Sequence, residues 1–221
     1  MLPVLSLLET RVLGVLVEKE HTVPDIYPLS LNALAAGCNQ KNNRDPVLSA
    51  SESEVQAAVD RLRPLSLIIE SSGSRVMRYS HNVQRVLKVP TEAVALLATL
   101  WLRGPQTAAE LRAASERLHR FADVSSVEGY LEQLAQRAAD AGGPLVVLLA
   151  RSPGMREQRW AHLLSGPVEF TSSPAPAPVE SGADATDLNA LRAEVARLSA
   201  ELAALRARVE TLERGASADE H

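Results

Sequence analysis

Residues 51–79 read SESEVQAAVDRLRPLSLIIESSGSRVMRY, and the hydrophobic period changes within this stretch. Its first part places Val55, Val59 and Leu62 at helical spacing, which predicts the buried stripe of an amphipathic helix. Its second part has two apolar runs on either side of the turn residues Ser72-Gly73-Ser74. Such runs around a short polar turn are typical of a β-hairpin. The stretch therefore predicts one helix followed by one hairpin.

Two further helical patterns precede this stretch, one starting at Ser6 and one near Ser30. Three helices followed by a hairpin is the order of a winged helix, a variant of the helix-turn-helix. Capping boxes, in which Ser or Thr is followed three residues later by Glu or Gln, mark predicted helix starts. These pairs are Ser6 with Glu9, Ser51 with Glu54 or Ser53 with Gln56, Thr107 with Glu110, and Ser125 with Glu128.

The same order of elements recurs in the second half of the chain. Val127, Leu131 and Leu134 repeat the spacing of the first buried stripe, and a hairpin pattern follows them again. The two predicted return strands carry the similar patterns Arg75-x-x-Arg78-Tyr79 and Arg156-x-x-Arg159-Trp160. Two like segments of this length indicate a duplicated domain rather than a long repeat array.

We therefore expect a mainly α protein with small β-hairpins, of the α+β class. The predicted first winged-helix domain spans residues 1–85 and the second spans 86–166. Residues 167–186 are rich in Pro, Ala, Ser and Gly, a composition that predicts a disordered linker. A coiled-coil helix is predicted over 187–214, followed by a disordered tail over 215–221.

The coiled-coil prediction rests on four uninterrupted heptads. Leucine or valine occupies every core position: Leu188, Val195, Leu202 and Val209 at a, and Leu191, Leu198, Leu205 and Leu212 at d. Valine at a with leucine at d favours a parallel dimer, so we expect a homodimer. A lone amphipathic helix packed on the body, an antiparallel pair and a higher-order assembly remain alternatives.

Charge is distributed unevenly along the chain. Residues 1–166 carry 18 Lys and Arg against 17 Asp and Glu, whereas residues 167–221 carry 5 against 10. The body is thus close to neutral and the tail is acidic. A strongly basic nucleic-acid footprint is absent, so any DNA contact has to come from a local patch.

The remaining global features point to a cytoplasmic protein without catalytic machinery. Cys38 is the single cysteine, which excludes an intramolecular disulfide and suits the reducing cytosol. The sequence lacks a signal-peptide pattern and an apolar run of membrane-spanning length. Nucleophile, phosphate-loop and dinucleotide motifs are missing, and the histidines lack metal-ligand spacing. We expect no enzyme activity, no catalytic residues, no metal and no cofactor.

The best candidate for a DNA contact is the polar loop after the second helix. Lys41 and Arg44 could neutralise phosphates, while Asn42 and Asn43 could donate hydrogen bonds to phosphate oxygens or base edges. The alternative is that this Asn-rich loop only turns the chain through side-chain-to-backbone bonds.

Three more residues complete the candidate set: Gln56, Arg75 and Arg78. Gln56 lies on the third helix, whose acidic residues would repel phosphates, so this helix is not expected to read bases strongly. Arg75 and Arg78 share a predicted strand at odd separation and point to opposite faces, so at most one joins the loop unless the strand bulges. Alternatively, Arg78 pairs with a nearby carboxylate.

Several longer motifs resemble the YceH-like family of bacterial proteins. They are Glu18-Lys19, Tyr27-Pro28-Leu29-Ser30, the run from Cys38 to Val47, Ser51-Glu52-Ser53-Glu54-Val55, Arg103-Gly104-Pro105-Gln106-Thr107, Glu110-Leu111-Arg112 and Pro153-Gly154-Met155-Arg156-Glu157. The resemblance covers roughly residues 6–166. It implies a tandem winged-helix fold, supplies no catalytic residues and links the chain to DNA through its fold alone, which is a weak warrant for function.

Two functions follow from these observations. The first is a DNA-associated winged-helix protein, including a role as a transcriptional regulator, with double-stranded DNA as its partner. The second is an adaptor whose winged helices bind a protein partner without any DNA contact. A positive surface would favour DNA, and an exposed apolar patch would favour a protein partner.

Overall fold

The first half of the chain runs helix, strand, helix, helix, strand, strand in the computed structural model, which describes residues 2–72, 76–151 and 157–166. Its elements are α1 (Leu7–Thr22), β1 (Leu29–Ser30), α2 (Leu31–Cys38), α3 (Glu52–Leu62), β2 (Ile68–Ser71) and β3 (Arg78–His81). The three strands form an antiparallel sheet in the order β1-β3-β2. The two-residue strand β1 was not predicted, because two residues carry no readable period.

The second half begins with the short helix α4 (Val83–Leu87) and repeats much of this order. Its further elements are α5 (Thr91–Arg103), α6 (Ala108–Ser115), α7 (Val124–Ala135), β4 (Val146–Leu148) and β5 (Trp160–His162). The strands β4 and β5 pair antiparallel. Mainly helical structure with small antiparallel sheets confirms the α+β class expected from the sequence.

Three of the predicted capping boxes are present at the starts of α1, α3 and α6. At α1, the Ser6 hydroxyl accepts from the Glu9 amide, and the Glu9 carboxylate accepts from the Ser6 amide at 2.6 Å. The box predicted at Ser125 is wrong, because α7 starts two residues earlier. Asp123 is its N-cap and accepts from the Ser126 amide at 2.7 Å. A carboxylate at the N-terminus of a helix accepts a hydrogen bond from a free backbone amide and also interacts favourably with the helix dipole.

The two halves make equivalent contacts where the return strand meets the start of the second helix of each half. Arg78 donates to the carbonyl oxygen of Pro28 at 2.8 Å, and Arg159 donates to that of Pro105 at 2.8 Å. Leu29 pairs with Tyr79 in the first half, and an isolated bridge joins Gln106 to Trp160 in the second. The repeated Arg-aromatic pattern thus occupies equivalent positions in the two halves.

The core is continuous between the two halves through the packing of α1 on α5. Every residue from Ala93 to Leu102 is buried, so α5 lies inside the protein on all its faces. Gly14 allows the close approach, since a Cβ there would lie 2.9 Å from Cγ of Leu102. The division into domains at residue 85 stays a prediction.

Several predictions concern residues outside the described ranges. The linker over 167–186, the coiled coil over 187–214 with its heptad positions, and the tail over 215–221 all lie there, as does Arg75. Among the residues that the structure does describe, no helix combines the length and apolar character needed to cross a bilayer.

Candidate functional site

The polar loop between α2 and α3, residues 39–51, is fastened by side-chain-to-backbone hydrogen bonds. Asn39 links the two ends of the loop by two hydrogen bonds to the backbone of Ala50. Its Nδ2 donates to the carbonyl oxygen of Ala50 at 2.7 Å, and its Oδ1 accepts from the Ala50 amide at 2.8 Å. The buried Arg11 donates to the carbonyl oxygens of Cys38 at 3.2 Å and Pro46 at 2.8 Å. Side-chain-to-backbone bonds, the alternative to a DNA contact that the sequence left open, therefore do shape part of the loop.

Arg44 anchors the same loop from inside the protein. Its side chain is completely buried and forms a two-pronged pair with Glu18 of α1, at 3.1 Å and 2.6 Å. The remaining donors reach the carbonyl oxygens of Gly37 and Asn43 and the side-chain oxygen of Gln40. This corrects the expectation that Arg44 faces phosphates, because a buried guanidinium with its donors engaged cannot reach them.

Glu18 is held in its charged form by this pairing. Burial by itself raises the pKa of Glu18, but the hydrogen bond and charge of Arg44, aided by Lys19, outweigh it and leave the pKa below its ordinary 4.5. Lys19 lies 3.4 Å from the same carboxylate. The negative charge of Glu18 is thus compensated locally.

Above this pair lies a cleft of about 380 Å³ between the two halves. The first half contributes the side chains of Glu18, Lys19, Thr22, Gln40, Lys41, Asn42 and Asn43, and the second half contributes those of Thr99, Leu102, Arg103, Ala114, Arg117 and Leu118. Two bonds fix the loop on the end of α5. Arg103 donates to Oδ1 of Asn43 at 2.8 Å, and the Asp45 amide donates to the carbonyl oxygen of Leu102 at 2.8 Å.

The cleft has an excess of positive charge. Four cationic side chains line it, those of Lys19, Lys41, Arg103 and Arg117, against the single carboxylate of Glu18, a net charge of +3. Within the described ranges, Lys41, Arg103 and Arg117 have no carboxylate within 4.0 Å. Cations gathered in a recess without counter-charges attract anions, since low-dielectric walls focus their field.

Other arginines are neutralised within the protein. Arg61 pairs with Glu9 at 2.7 Å, Arg63 with Glu70 at 3.2 Å, and Arg159 with Glu110 at 3.0 Å. In contrast, within the part of the chain that the structure describes, the positive charges of Lys41, Arg103 and Arg117 at the cleft are not compensated in this way.

Gln56 and Arg78 bind within the fold rather than at the cleft. Gln56 donates to Asp60 at 3.0 Å and accepts from the Tyr79 hydroxyl at 3.0 Å, which ties α3 to β3. Arg78 donates to the carbonyl oxygens of Pro28 and Ile26, so its partners are backbone groups and not the carboxylate considered from the sequence.

Of the seven predicted residues, Lys41, Asn42 and Asn43 line the cleft. Lys19, Arg103 and Arg117 were missed. Lys19 and Arg103 belong to motifs that carry the family resemblance, which was a usable signal. Arg117 lies in no motif, and only the folded chain brings it to the loop.

The exposed faces of α3 and α7 have the opposite charge. Glu52, Glu54 and Asp60 are exposed on α3, and Glu128 and Glu132 are exposed on α7. In the winged-helix arrangement expected from the sequence, these would be the helices that enter a DNA groove. Their carboxylates would repel phosphates, which agrees with the sequence-based expectation for the third helix.

Cys38 is fully buried, and burial raises the pKa of its thiol to about 12. Such a thiol stays protonated at neutral pH and is a poor nucleophile. In the ranges described, no group of three His, Cys, Asp or Glu side chains is placed to hold a metal ion.

Comparison with known proteins gives consistent matches along most of the chain. A family model described as "Protein of unknown function, DUF480" matches residues 5–155. A UPF0502 protein of Methylibium petroleiphilum is 62% identical over 202 residues, which cover 91% of this chain and 85% of that protein. A UPF0502 protein of Leptothrix cholodnii is 56% identical over 211 residues, covering 94% and 93%. One of Burkholderia pseudomallei is 58% identical over 206 residues, covering 93% and 86%.

Proposed function

The chain belongs to the DUF480/UPF0502 family of bacterial proteins, and from the charge of the cleft we propose that it is a non-enzymatic, DNA-associated protein. In this proposal the rim of the cleft binds phosphates of the DNA backbone. Lys41 and Arg117 supply exposed positive charge, while Asn42 and Asn43 supply amide groups.

The observation that carries the proposal is the set of three cations at the cleft without carboxylate partners. Lys and Arg that neutralise phosphates release condensed counterions, which supplies most non-specific DNA affinity. A paired arginine such as Arg61 contributes less, because its charge is already compensated by Glu9. A local positive patch on a nearly neutral body is what a DNA contact by this chain requires, and the cleft supplies one.

The acidic faces of α3 and α7 support a contact through the backbone rather than through base reading by these helices. Phosphate contacts fix position but carry no sequence information. A regulatory role would require sequence preference, which amides such as those of Asn42 and Asn43, or the guanidinium of Arg117, could supply by bonding to base edges. If the predicted coiled coil over 187–214 forms a dimer, two clefts would bind one DNA molecule with higher avidity.

The test is fluorescence anisotropy of a labelled mixed-sequence duplex titrated with the full chain at several salt concentrations. We expect affinity to fall steeply with salt. The double variant Lys41→Glu/Arg117→Glu should weaken binding about tenfold or more and reduce the salt slope by about 2. The control Arg85→Glu/Lys88→Glu makes the same charge change on exposed residues outside the cleft and should bind far more like the wild type.

Equal losses in both double variants would mean that only net charge matters, and the cleft would lose its assigned role. Absence of duplex binding by the wild-type chain at low salt would overturn the DNA proposal.

A second candidate function is a protein-interaction adaptor, which two features favour. One is the acidic exposed face of both α3 and α7. The other is a set of exposed apolar side chains on the first hairpin, with Ile69 at 47%, Val76 at 54% and Met77 at 42% exposure. Exposed apolar groups of this kind are found at protein interfaces. If DNA binding fails, a defined partner whose binding is lost in Val76→Ser/Met77→Ser would support the adaptor.

A further inference from the structure

The cleft has the dimensions of a small-molecule site. Its volume of about 380 Å³ lies within the usual range for ligand pockets, roughly 300–1,000 Å³. A DNA duplex can touch its rim but cannot enter it, because the two backbones of a duplex lie on either side of a major groove about 12 Å wide and a recess of about 380 Å³ cannot enclose both. The interior is therefore available to something of the size of one nucleotide.

The orientation of two amide side chains in the cleft is fixed by their arginine neighbours. Gln40 accepts from Arg44 at 2.9 Å, and Asn43 accepts from Arg103 at 2.8 Å. A guanidinium can only donate, so each amide must give its oxygen to the arginine and keep its NH₂ group for other partners. Both amides therefore offer donors to a ligand.

The hydroxyl of Thr99 is also constrained, since it donates to the carbonyl oxygen of Ala95 at 2.8 Å. Its remaining capacity is as an acceptor, suited to a ligand hydroxyl. Donor amides, unpaired cations and this one acceptor all belong to residues that line the cleft, and together they match a ligand that has both phosphate oxygens and hydroxyls.

We propose that the cleft binds a single phosphate monoester of about nucleotide size, such as a mononucleotide or a sugar phosphate. The phosphate is held by Lys41, Arg103 and Arg117, and the donor amides of Gln40 and Asn43 complete its hydrogen bonds. This inference shares its cations with the proposed function and deepens it, because the small ligand and DNA would compete for the same charges.

A ligand in this position contacts both halves of the chain at once. Lys41 lies on the loop of the first half, whereas Arg103 and Arg117 belong to the second. A ligand that binds only the native state stabilises it by an amount that grows with the logarithm of ligand concentration over the dissociation constant. The ligand should therefore raise the thermal midpoint of the whole described body rather than of one half.

The first experiment is thermal unfolding and isothermal titration calorimetry of the full chain with five probes at matched ionic strength. The probes are inorganic phosphate, AMP, UMP, glucose 6-phosphate and the phosphate-free adenosine. We expect at least one monoester to bind saturably with one site per chain and to raise the thermal midpoint, and adenosine to have no effect. If none of the monoesters binds saturably, the inference is overturned.

The variant Arg117→Gln tests the assignment of the phosphate. Arg117 is exposed and outside the described helices, so its replacement should leave the fold intact while weakening monoester binding at least tenfold. Arg120→Gln, which removes an exposed arginine paired with Glu116, is the matched control. Equal affinity in wild type and Arg117→Gln would contradict the proposed ligand position.

A competition experiment separates this inference from the proposed function. Monoester binding without duplex binding leaves the inference standing and removes the DNA proposal. Duplex binding with no monoester binding does the reverse. A 5′-phosphorylated oligonucleotide that displaces the monoester, while its unphosphorylated twin does not, would assign the phosphate to a strand end rather than to a free metabolite.

Discussion

Arg103 donates a hydrogen bond of 2.8 Å to the side-chain oxygen of Asn43, and this contact joins the last turn of α5 to the loop of the other half. Asn43 holds a left-handed backbone conformation, with φ of 59°, which Asn tolerates better than most residues. The contact therefore depends on both the backbone and the amide of Asn43. It also leaves the charge of Arg103 uncompensated, because the amide oxygen accepts a hydrogen bond but carries no formal negative charge.

Arg44→Met should destabilise the protein strongly, because it leaves the carboxylate of Glu18 without its main partner. Removing one member of a buried ion pair costs about 3–5 kcal/mol, and the partial exposure of Glu18 brings our expectation to about 2–4 kcal/mol. Urea unfolding at pH 7 measures the change in the free energy of unfolding. Arg120→Met, which breaks a pair exposed on both sides, should cost less than about 1 kcal/mol. Equal costs in both variants would contradict an anchoring role for Arg44.

Gly104→Ala and Gly129→Ala should change stability in opposite directions. Gly104 has φ of 71° and ψ of −161°, a region that is essentially restricted to glycine, so alanine there should cost about 1–3 kcal/mol. Gly129 lies within α7, and an added Cβ would meet no atom within 4 Å. Alanine at 129 should therefore stabilise the helix by about 0.5–1 kcal/mol. Thermal unfolding of both variants beside the wild type measures the signs directly, and a stable Gly104→Ala would show that this turn can relax.

His162 should make the stability of the protein depend on pH in the mildly acidic range. Burial lowers the pKa of His162 from 6.5 to about 4, and its Nδ1 is buried without a hydrogen-bond partner. The unfolded chain then binds a proton more readily than the native chain. As far as His162 is concerned, the free energy of unfolding is therefore highest above pH 6.5, and it falls by on the order of 2–3 kcal/mol as the pH drops towards 4.

The variant His162→Leu should lose most of this slope between pH 6.5 and 5, as measured by urea unfolding at closely spaced pH values. The window stops at pH 5 because Glu18 begins to take up protons at lower pH, as its pKa lies below 4.5. Replacing the exposed His21 with Gln should keep the wild-type slope. An unchanged slope in His162→Leu would assign the pH dependence to other groups.

Cys38 should resist alkylation in the native protein. Its thiol is 0% exposed and has a pKa of about 12, so thiolate is scarce and reagents cannot reach it. Incubation with iodoacetamide at pH 8 should leave the mass of the native chain unchanged and add one adduct after unfolding in urea. Because the chain has a single cysteine, the mass reports this site alone. Rapid labelling in native buffer would contradict the buried position.

Local signals predicted much of the fold correctly. The capping boxes at Ser6, Ser51 and Thr107 depend on residues three positions apart, so a linear sequence holds all the information needed. The box at Ser125 failed because Asp123, two residues earlier, caps the Ser126 amide, so Ser125 lies inside α7. Which of two neighbouring candidate caps is used is decided by the rest of the fold.

The candidate site was only partly predictable, because its key contacts join distant parts of the chain. The loop composition indicated Lys41, Asn42 and Asn43 correctly as residues of a polar surface. It could not indicate that Arg44 turns inward, since its partner Glu18 lies 26 residues away on α1. Arg103 reaches the loop from 60 residues away, and no local pattern encodes such a distance.

The packing of α1 against α5 affects how the chain folds during its synthesis. Gly14 packs on Leu102, so the apolar surface of α1 stays without its partner until the ribosome has released α5. Contacts of such long sequence separation slow folding and leave hydrophobic surface exposed in the meantime. The growing chain should therefore be most dependent on chaperones between the completion of the first hairpin and the emergence of Arg103, and a nascent chain stalled in that interval should aggregate.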